Sequence, residues 1–272
     1  MVDFVGAAEI RPGRYDRNEV FALARPKLEE LKRFGCRRLL ECTPNFLGRD
    51  PELLARLAGE AGIEIWSNTG LYGAANHKYA PAYARQETAA QLAKRWIAET
   101  REPWRPRFIK IGVNRGPLDE LDRKLVRAAA IASRETGLTI ASHTGDGAAA
   151  VEQLEIVTAE RVIPAKFVWV HAQNEKDRAV HEKVARAGAW VEFDGIGPRT
   201  VEAHLECVRF MAASNLLRRT LISQDSGWYH VGEPGGGEFR GYTYLYTNFL
   251  PSLEPAHVSV LMWTNPRECF GA

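Results

Sequence analysis

The sequence predicts an α/β fold, a TIM (β/α)8-type barrel that lacks or alters its first strand. Three observations carry this. From Arg37 onward, short apolar or β-branched runs alternate with longer stretches of helical period, which is the pattern of a mostly parallel sheet. The runs stay apolar throughout, as strands do when helices cover both faces of the sheet. The chain's 272 residues also match one barrel of about 250 residues, so a single domain spanning 1–272 is expected.

Taken in order, the candidate strands are residues 37–43 (RRLLECT), 63–69 (IEIWSNT), 108–113 (FIKIGV), 138–144 (LTIASHT), 167–172 (FVWVHA), 190–195 (WVEFDG) and 221–225 (LISQD). Helical stretches fall at 17–34, 50–61, 84–100, 119–135, 148–159, 175–187 and 200–217, with one more after Pro251. Several ends are readable: Asp50-Pro51 is a cap followed by proline in the first turn, and Gly62, Gly137 and Gly188 stand where helices stop. A closed barrel needs an eighth strand. Ahead of the first helix only residues 2–5 can extend, so the gap belongs at the front. A doubly wound open sheet, which needs no eighth strand, is the structural alternative.

Lys and Arg number 36 against 34 Asp and Glu, a net charge of +2. That leaves no excess positive charge for a nucleic acid or an anionic membrane. Cys36, Cys42, Cys207 and Cys269 form no C-x-x-C pair, which argues against a disulfide framework or thiolate zinc site and fits a reduced, cytoplasmic chain. No apolar run reaches membrane-spanning length and the first ten residues lack a basic start, so no targeting segment is read. Cys42, near the end of the second strand, reads as barrel packing.

In parallel α/β folds ligands bind at the C-terminal ends of the strands. There the sequence places Lys110, His143, His171 and Asp225. Imidazole and carboxylate converging on one face are the ligand set of zinc or a similar divalent ion when no thiolate is available. A protonated lysine would repel such an ion, so Lys110 is either an amine of lowered pKa or chemically modified into an oxygen ligand.

Together with the strings NTGLYG (68–73), FIKIG (108–112), SHTGDG (142–147), VHAQNE (170–175), QDSGWY (224–229) and TNPRECF (264–270), this order of residues resembles the phosphotriesterase-like family of the amidohydrolase superfamily. The resemblance implies a metal-dependent hydrolase in which two zinc ions activate a water that attacks an ester, lactone or phosphoester. It implies Lys110 as a carboxylated bridge, His143 and His171 as ligands of the more exposed metal, and Asp225 as ligand of the buried metal and proton acceptor. Lactone or carboxylic ester is the expected natural substrate, because neutral organophosphates are scarce in nature.

The family's opening strand ends in a His-x-His pair, whereas this chain has no histidine before His77, and MVDFVGAAE is similar to the segment that follows the pair. Three readings follow: Met1 is internal to a longer active protein; the protein is shortened and keeps one metal on Lys110, His143 and His171; or the barrel is degenerate and binds a small molecule or partner without catalysis. Open strand edges would favour association, as in a homodimer. Substrate contacts are expected from Asn68, Tyr72, Asn114, Arg115, Trp228, Tyr229 and His230. The glycine-rich segment 232–241 reads as a mobile lid, Gln173 and Asn174 as residues orienting His171, and His181, His204 and His257 as surface or packing residues.

Overall fold

Most strands of the barrel wall follow a helix that returns the chain to the same end of the sheet. The computed structural model of the chain describes residues 1–3 and 14–271. In chain order these residues form β1 (Val2–Asp3), α1 (Arg17–Arg33), β2 (Arg38–Leu40), α2 (Pro51–Ala61), β3 (Glu64–Trp66), β4 (Asn68–Thr69), α3 (Ala82–Gln86), α4 (Ala89–Glu99) and β5 (Phe108–Val113). There follow α5 (Glu120–Thr136), β6 (Ile140–Thr144), α6 (Gly147–Ala159), β7 (Phe167–Val170), α7 (Arg178–Arg186), β8 (Trp190–Phe193), α8 (Val201–Ala213), β9 (Thr220–Ile222), β10 (Tyr229–His230), α9 (Pro255–Ser259) and α10 (Asn265–Phe270).

Aspartates start five of these ten helices by accepting a backbone N–H of the first turn: Asp16 from Asn18, Asp50 from Leu53, Asp119 from Asp122, Asp146 from Ala149 and Asp177 from Ala179. The caps account for two departures from the expected ranges. Thr88 and Gln91 form a reciprocal capping box, so the stretch 84–100 divides into α3 and α4. Asp177 caps α7 and delays its start beyond residue 175.

Strands β4 to β9 form a six-stranded parallel sheet in sequence order, and β2 pairs with β3 in parallel. Since β3 and β4 are separated only by Ser67, the two sheets are successive parts of one barrel wall. The expectation about the first strand holds in a specific form. Among the described residues no strand joins β9 to β2; Val2 and Asp3 pair instead with Tyr229 and His230, beyond the end of β9. Residues 4 and 5 of the expected front strand lie outside the described residues. No helix among the described residues is long and apolar enough to cross a membrane.

Period-two alternation sorts each strand into a helix-facing and an interior face. Ile109, Ile111, Val113, Phe167, Trp169, Val191 and Phe193 join the cluster shared with the surrounding helices. Phe108, Ala141, Val168, Val170, Trp190 and Leu221 form the interior cluster with Cys269 of α10. The last helix closes the lower end of the barrel. The Thr139 hydroxyl donates to the Cys269 carbonyl at 2.6 Å, the rings of Phe108 and Phe270 meet edge to face at 6.0 Å, and the Asn265 amide donates to the carbonyls of Leu217 and Thr220, both at 2.7 Å. Those partners sit at or before the first residues of β5, β6 and β9, the end opposite the candidate site.

Candidate metal centre

Extending the interior register upward places Lys110 two residues after Phe108, His143 two after Ala141, Glu192 and Asp194 two and four after Trp190, and Asp225 four after Leu221. These side chains therefore rise from the apolar interior to the barrel mouth. His171 breaks the pattern. Val168 and Val170 face inward, so position 171 belongs to the outer face, yet its φ of 67° turns the ring back toward the centre. A left-handed conformation at a non-glycine residue costs roughly 1–3 kcal/mol, and a neighbour must hold it.

Asp194 holds it twice. One carboxylate oxygen accepts the His171 backbone N–H at 2.8 Å, and the other lies 2.6 Å from His171 Nδ1. Gln173 fixes Asp194 in turn: its amide nitrogen donates to the carboxylate at 3.0 Å and its amide oxygen accepts the Asp194 backbone N–H at 3.1 Å. Below, His204 Nε2 lies 2.6 Å from the Asp194 carbonyl. With Nδ1 committed, His171 is left with Nε2 for a ligand. The carboxylate–histidine pair is the arrangement that orients a metal-binding imidazole.

His171, Asp194 and Asp225 each offer a ligand atom within 4.8 Å of the others. The His143 ring packs edge to face on His171 at 4.3 Å, and the Tyr72 hydroxyl lies 3.2 Å from His143 Nε2 and 3.3 Å from its Nδ1. The charge of buried Lys110 acts on His143, His171, Glu192 and Asp225 alike, so all of them converge on one region. Burial, reinforced by the neighbouring His171 and Lys110, pushes His143 down to about 2 and keeps it neutral, the form that ligates. For His171 burial pulls the pKa down, but the Asp194 charge and hydrogen bond outweigh it and the net shift is upward. Asp225, also left-handed with φ 42°, is pushed up by burial and by Asp194. Burial and Asp194 raise the Glu192 carboxyl to about 7.

The donor set fits a divalent ion: neutral imidazole, a second imidazole with its far nitrogen already engaged, a carboxylate, and a buried lysine whose amine has only a 3.4 Å contact to the Ile111 carbonyl. Among the described residues His171 is the one imidazole grouped with Asp194 and Asp225 within ligand range of one another, and His143 packs against it.

The remaining expected residues divide sharply. Tyr72 is at the centre. Trp228 is partly exposed at the rim, with its ring 6.2 Å from that of His230, whose Nδ1 lies 3.0 Å from Asp3. Arg115 is exposed, its Nε 3.4 Å from Asp146. Asn68 is fully buried and donates to the carbonyls of Glu41 and Thr43 at 2.9 and 3.0 Å, so it braces β4 against the end of β2. Asn114 ties two loops together: its amide oxygen accepts the Asn76 backbone N–H at 2.8 Å, while its nitrogen lies 3.0 Å from His77 Nε2 and donates to Asp122 at 3.2 Å. His77 also contacts Asp122 at 3.0 Å, and this second His–Asp group is a buried clamp saturated by its own hydrogen bonds. Tyr229 packs with Val2 in the cluster around α1 and α2.

Two further expectations give way to the structure. Cys42 is exposed rather than packed in the barrel. The segment 232–241 is anchored, not free: the Ser226 hydroxyl donates to the Gly241 carbonyl at 3.0 Å, and a side chain on Gly236, φ 75°, would meet the Tyr229 ring at 2.2 Å. Asp194 escapes the sequence reading although it directly follows the strand residues WVEF, as His171 follows FVWV; the charged Glu192 breaks the kind of apolar run that marks His171. Gln173 does orient His171, but through Asp194.

A parallel barrel whose C-terminal rim gathers imidazoles and carboxylates is laid out to hold a divalent ion. The phosphotriesterase family model matches residues 5–270, and the chain belongs to that family. It is 27% identical over 269 residues to the phosphotriesterase homology protein of Escherichia coli, covering 93% of this chain and 90% of that protein. A crystal structure of the phosphotriesterase homology protein from Escherichia coli, with phosphate in its active site, superposes with a TM-score of 0.83 at 25% identity, covering 92% of this chain and 89% of the other. An aryldialkylphosphatase of Saccharolobus solfataricus is 26% identical over 68% of this chain and 60% of its own length. A phospho-furanose lactonase of Mycoplasmopsis synoviae is 29% identical over 56% of this chain and 45% of its own.

Proposed function

We propose that the protein is a metal-dependent hydrolase acting on a lactone or carboxylic ester, with phosphoesters as a secondary class. One observation carries this reading: Asp194 holds His171 in a left-handed conformation in which His171, Asp194 and Asp225 each present a potential ligand atom within 4.8 Å of the others. His143, His171, Asp225 and a carboxylated Lys110 would hold the ion, which is zinc in this reading. When bound, the metal lowers the pKa of water and polarises the scissile carbonyl.

The chain's own residues do the rest. Asp225 accepts a proton from the attacking water as the water oxygen bonds to the carbonyl carbon; the C–O bond then breaks and the leaving oxygen takes that proton from Asp225. The Tyr72 hydroxyl, beside His143, reaches the space where the substrate carbonyl would lie and orients it. The membership in a family that includes an aryldialkylphosphatase and a lactonase supports hydrolysis over other chemistry.

Metal content and turnover of activated esters and lactones test this directly. Stoichiometric zinc with chelator-sensitive turnover is the expected result, and Asp225→Asn is expected to lower kcat by at least about a hundredfold with an unchanged circular dichroism spectrum. An active Asp225→Asn enzyme overturns the assignment of the base. The alternative is a non-catalytic barrel that binds a small molecule. Folded protein with neither metal nor turnover above buffer would establish it.

A further inference from the structure

Ala75, Asn76 and His77 stand one after another in the left-handed region, at φ 57°, 53° and 59°. Residues with a side chain visit that region singly and at a cost to each, so three in a row need neighbours that hold them. The turn folds the chain back on the segment that carries Tyr72. The His77 backbone N–H donates to the Gly73 carbonyl at 3.0 Å, and the Asn114 amide nitrogen donates to the same carbonyl at 3.3 Å. The Asn114 amide oxygen accepts the Asn76 backbone N–H at 2.8 Å. His77 Nε2 lies 3.0 Å from one carboxylate oxygen of Asp122 on α5, whose other oxygen accepts the Asn114 backbone N–H at 3.3 Å. His77 and Asp122 are both buried.

This network is separate from the ligand group of His171, Asp194 and Asp225, and it meets the centre through Tyr72. Gly73 donates its N–H to the Gly112 carbonyl at 2.8 Å. A Cβ on Gly73 would come within 2.6 Å of Leu125 and 2.8 Å of the Gly112 oxygen, so residue 73 has little room to shift. The Tyr72 ring lies on Gly112, where an added Cβ would approach it to 2.6 Å, and the Tyr79 ring stands 6.3 Å away. In that position the Tyr72 hydroxyl is 3.2 Å from His143 Nε2. Strained residues persist where their surroundings over-determine them, and the result is one geometry in place of many. Resting on the hydrolase reading above, in which Tyr72 orients the substrate carbonyl, we propose that His77 is a positioning residue: clamped by Asn114 and Asp122, it fixes the Tyr72 hydroxyl where attack on the carbonyl requires it.

A clamp that acts through Tyr72 matters only where Tyr72 is present, and turnover of p-nitrophenyl acetate by the zinc-loaded protein reads this. His77→Ala is expected to lower kcat about tenfold, with KM and zinc affinity within about twofold of wild type. In a Tyr72→Phe background the same change should alter kcat by less than about twofold, because residues that act as a unit are not additive. His77→Gln, which keeps a donor toward Asp122, should recover most of the loss. Equal losses in the two backgrounds, a loss that follows zinc affinity, or no loss at all overturns the proposal. Should His77→Ala not fold, Asn114→Ser, which releases residues 73 and 76 while leaving His77 on Asp122, completes the same cycle. A second readout needs no turnover. With 3-fluorotyrosine at all 8 tyrosines, the fluorine resonance that disappears in Tyr72→Phe belongs to that ring. It is expected to shift and broaden in His77→Ala or Asn114→Ser while the resonances of Tyr15 and Tyr229 stay in place. If no ester is hydrolysed, the hydrolase reading fails separately and this resonance decides the clamp: displacement supports it, and an unmoved Tyr72 line overturns it.

Discussion

At His171 the backbone achieves what strand alternation cannot, because φ 67° carries an outward position into the mouth and Asp194 bonds both its N–H and its ring. Removing the Asp194 charge should therefore weaken metal binding while leaving His143, His171 and Asp225 in place. Asp194→Asn is expected to lower zinc affinity about 10- to 100-fold, read by competition with a chromophoric chelator; unaltered affinity would remove Asp194 from the site. Glu192 makes a different prediction. Its folded pKa of about 7 lies above the ordinary carboxyl value of 4.5, so its proton is bound more tightly in the folded state. The stability it contributes is full below about 4.5 and is lost as pH rises through about 7. Urea midpoints of metal-stripped protein should fall across that window, by an amount on the order of 3 kcal/mol, and Glu192→Gln should flatten the slope. At this scale the interior register was legible: Lys110, His143 and Asp225 follow from spacing along apolar strands. What spacing misses is a side chain whose own φ reverses its face, and a carboxylate such as Asp194 whose partner is known only once two strands are adjacent.

At the scale of elements, short capped helices deliver each strand and explain most boundaries, and aspartate caps were readable where the sequence had Asp-Pro or a glycine stop. Pairing between distant segments was not. Tyr229 read as a substrate contact because it follows the site aspartate, but β10 pairs with β1 and the ring becomes core. Local patterns carry no information about a partner some two hundred residues away. The same holds for α10, whose Asn265 is fully buried and joins β9 through two carbonyls. Asn265→Ala would leave both acceptors unpaired in the interior. A loss of about 2–4 kcal/mol is expected, seen as a lower urea midpoint, and a midpoint within error of wild type would show that water replaces the amide.

For the whole molecule, the candidate ligands come from β5, the last residues of β6, and the segments that follow β7 and β9, so a bound ion would cross-link elements spread over half the chain. Metal occupancy and global stability are then coupled. Chelation should lower the melting temperature of zinc-loaded protein by about 5–10 °C, corresponding to roughly 3 kcal/mol at a hundredfold excess over Kd, and restoring zinc should reverse it. A melting temperature indifferent to chelator would mean that the wall is stable without the ion. The barrel wall is also open between β9 and β2 among the described residues, so stability there depends on side-chain packing of Leu40 and Leu221 instead of ladder hydrogen bonds.

The floor of the barrel has a practical consequence. Phe270 and Cys269 act as a stopper beneath Phe108, on the same interior column that carries Lys110. Loosening the stopper by Phe270→Ala should therefore speed hydrogen exchange of the interior backbone amides around Lys110, and the size of that increase would report how often water enters the chamber from below.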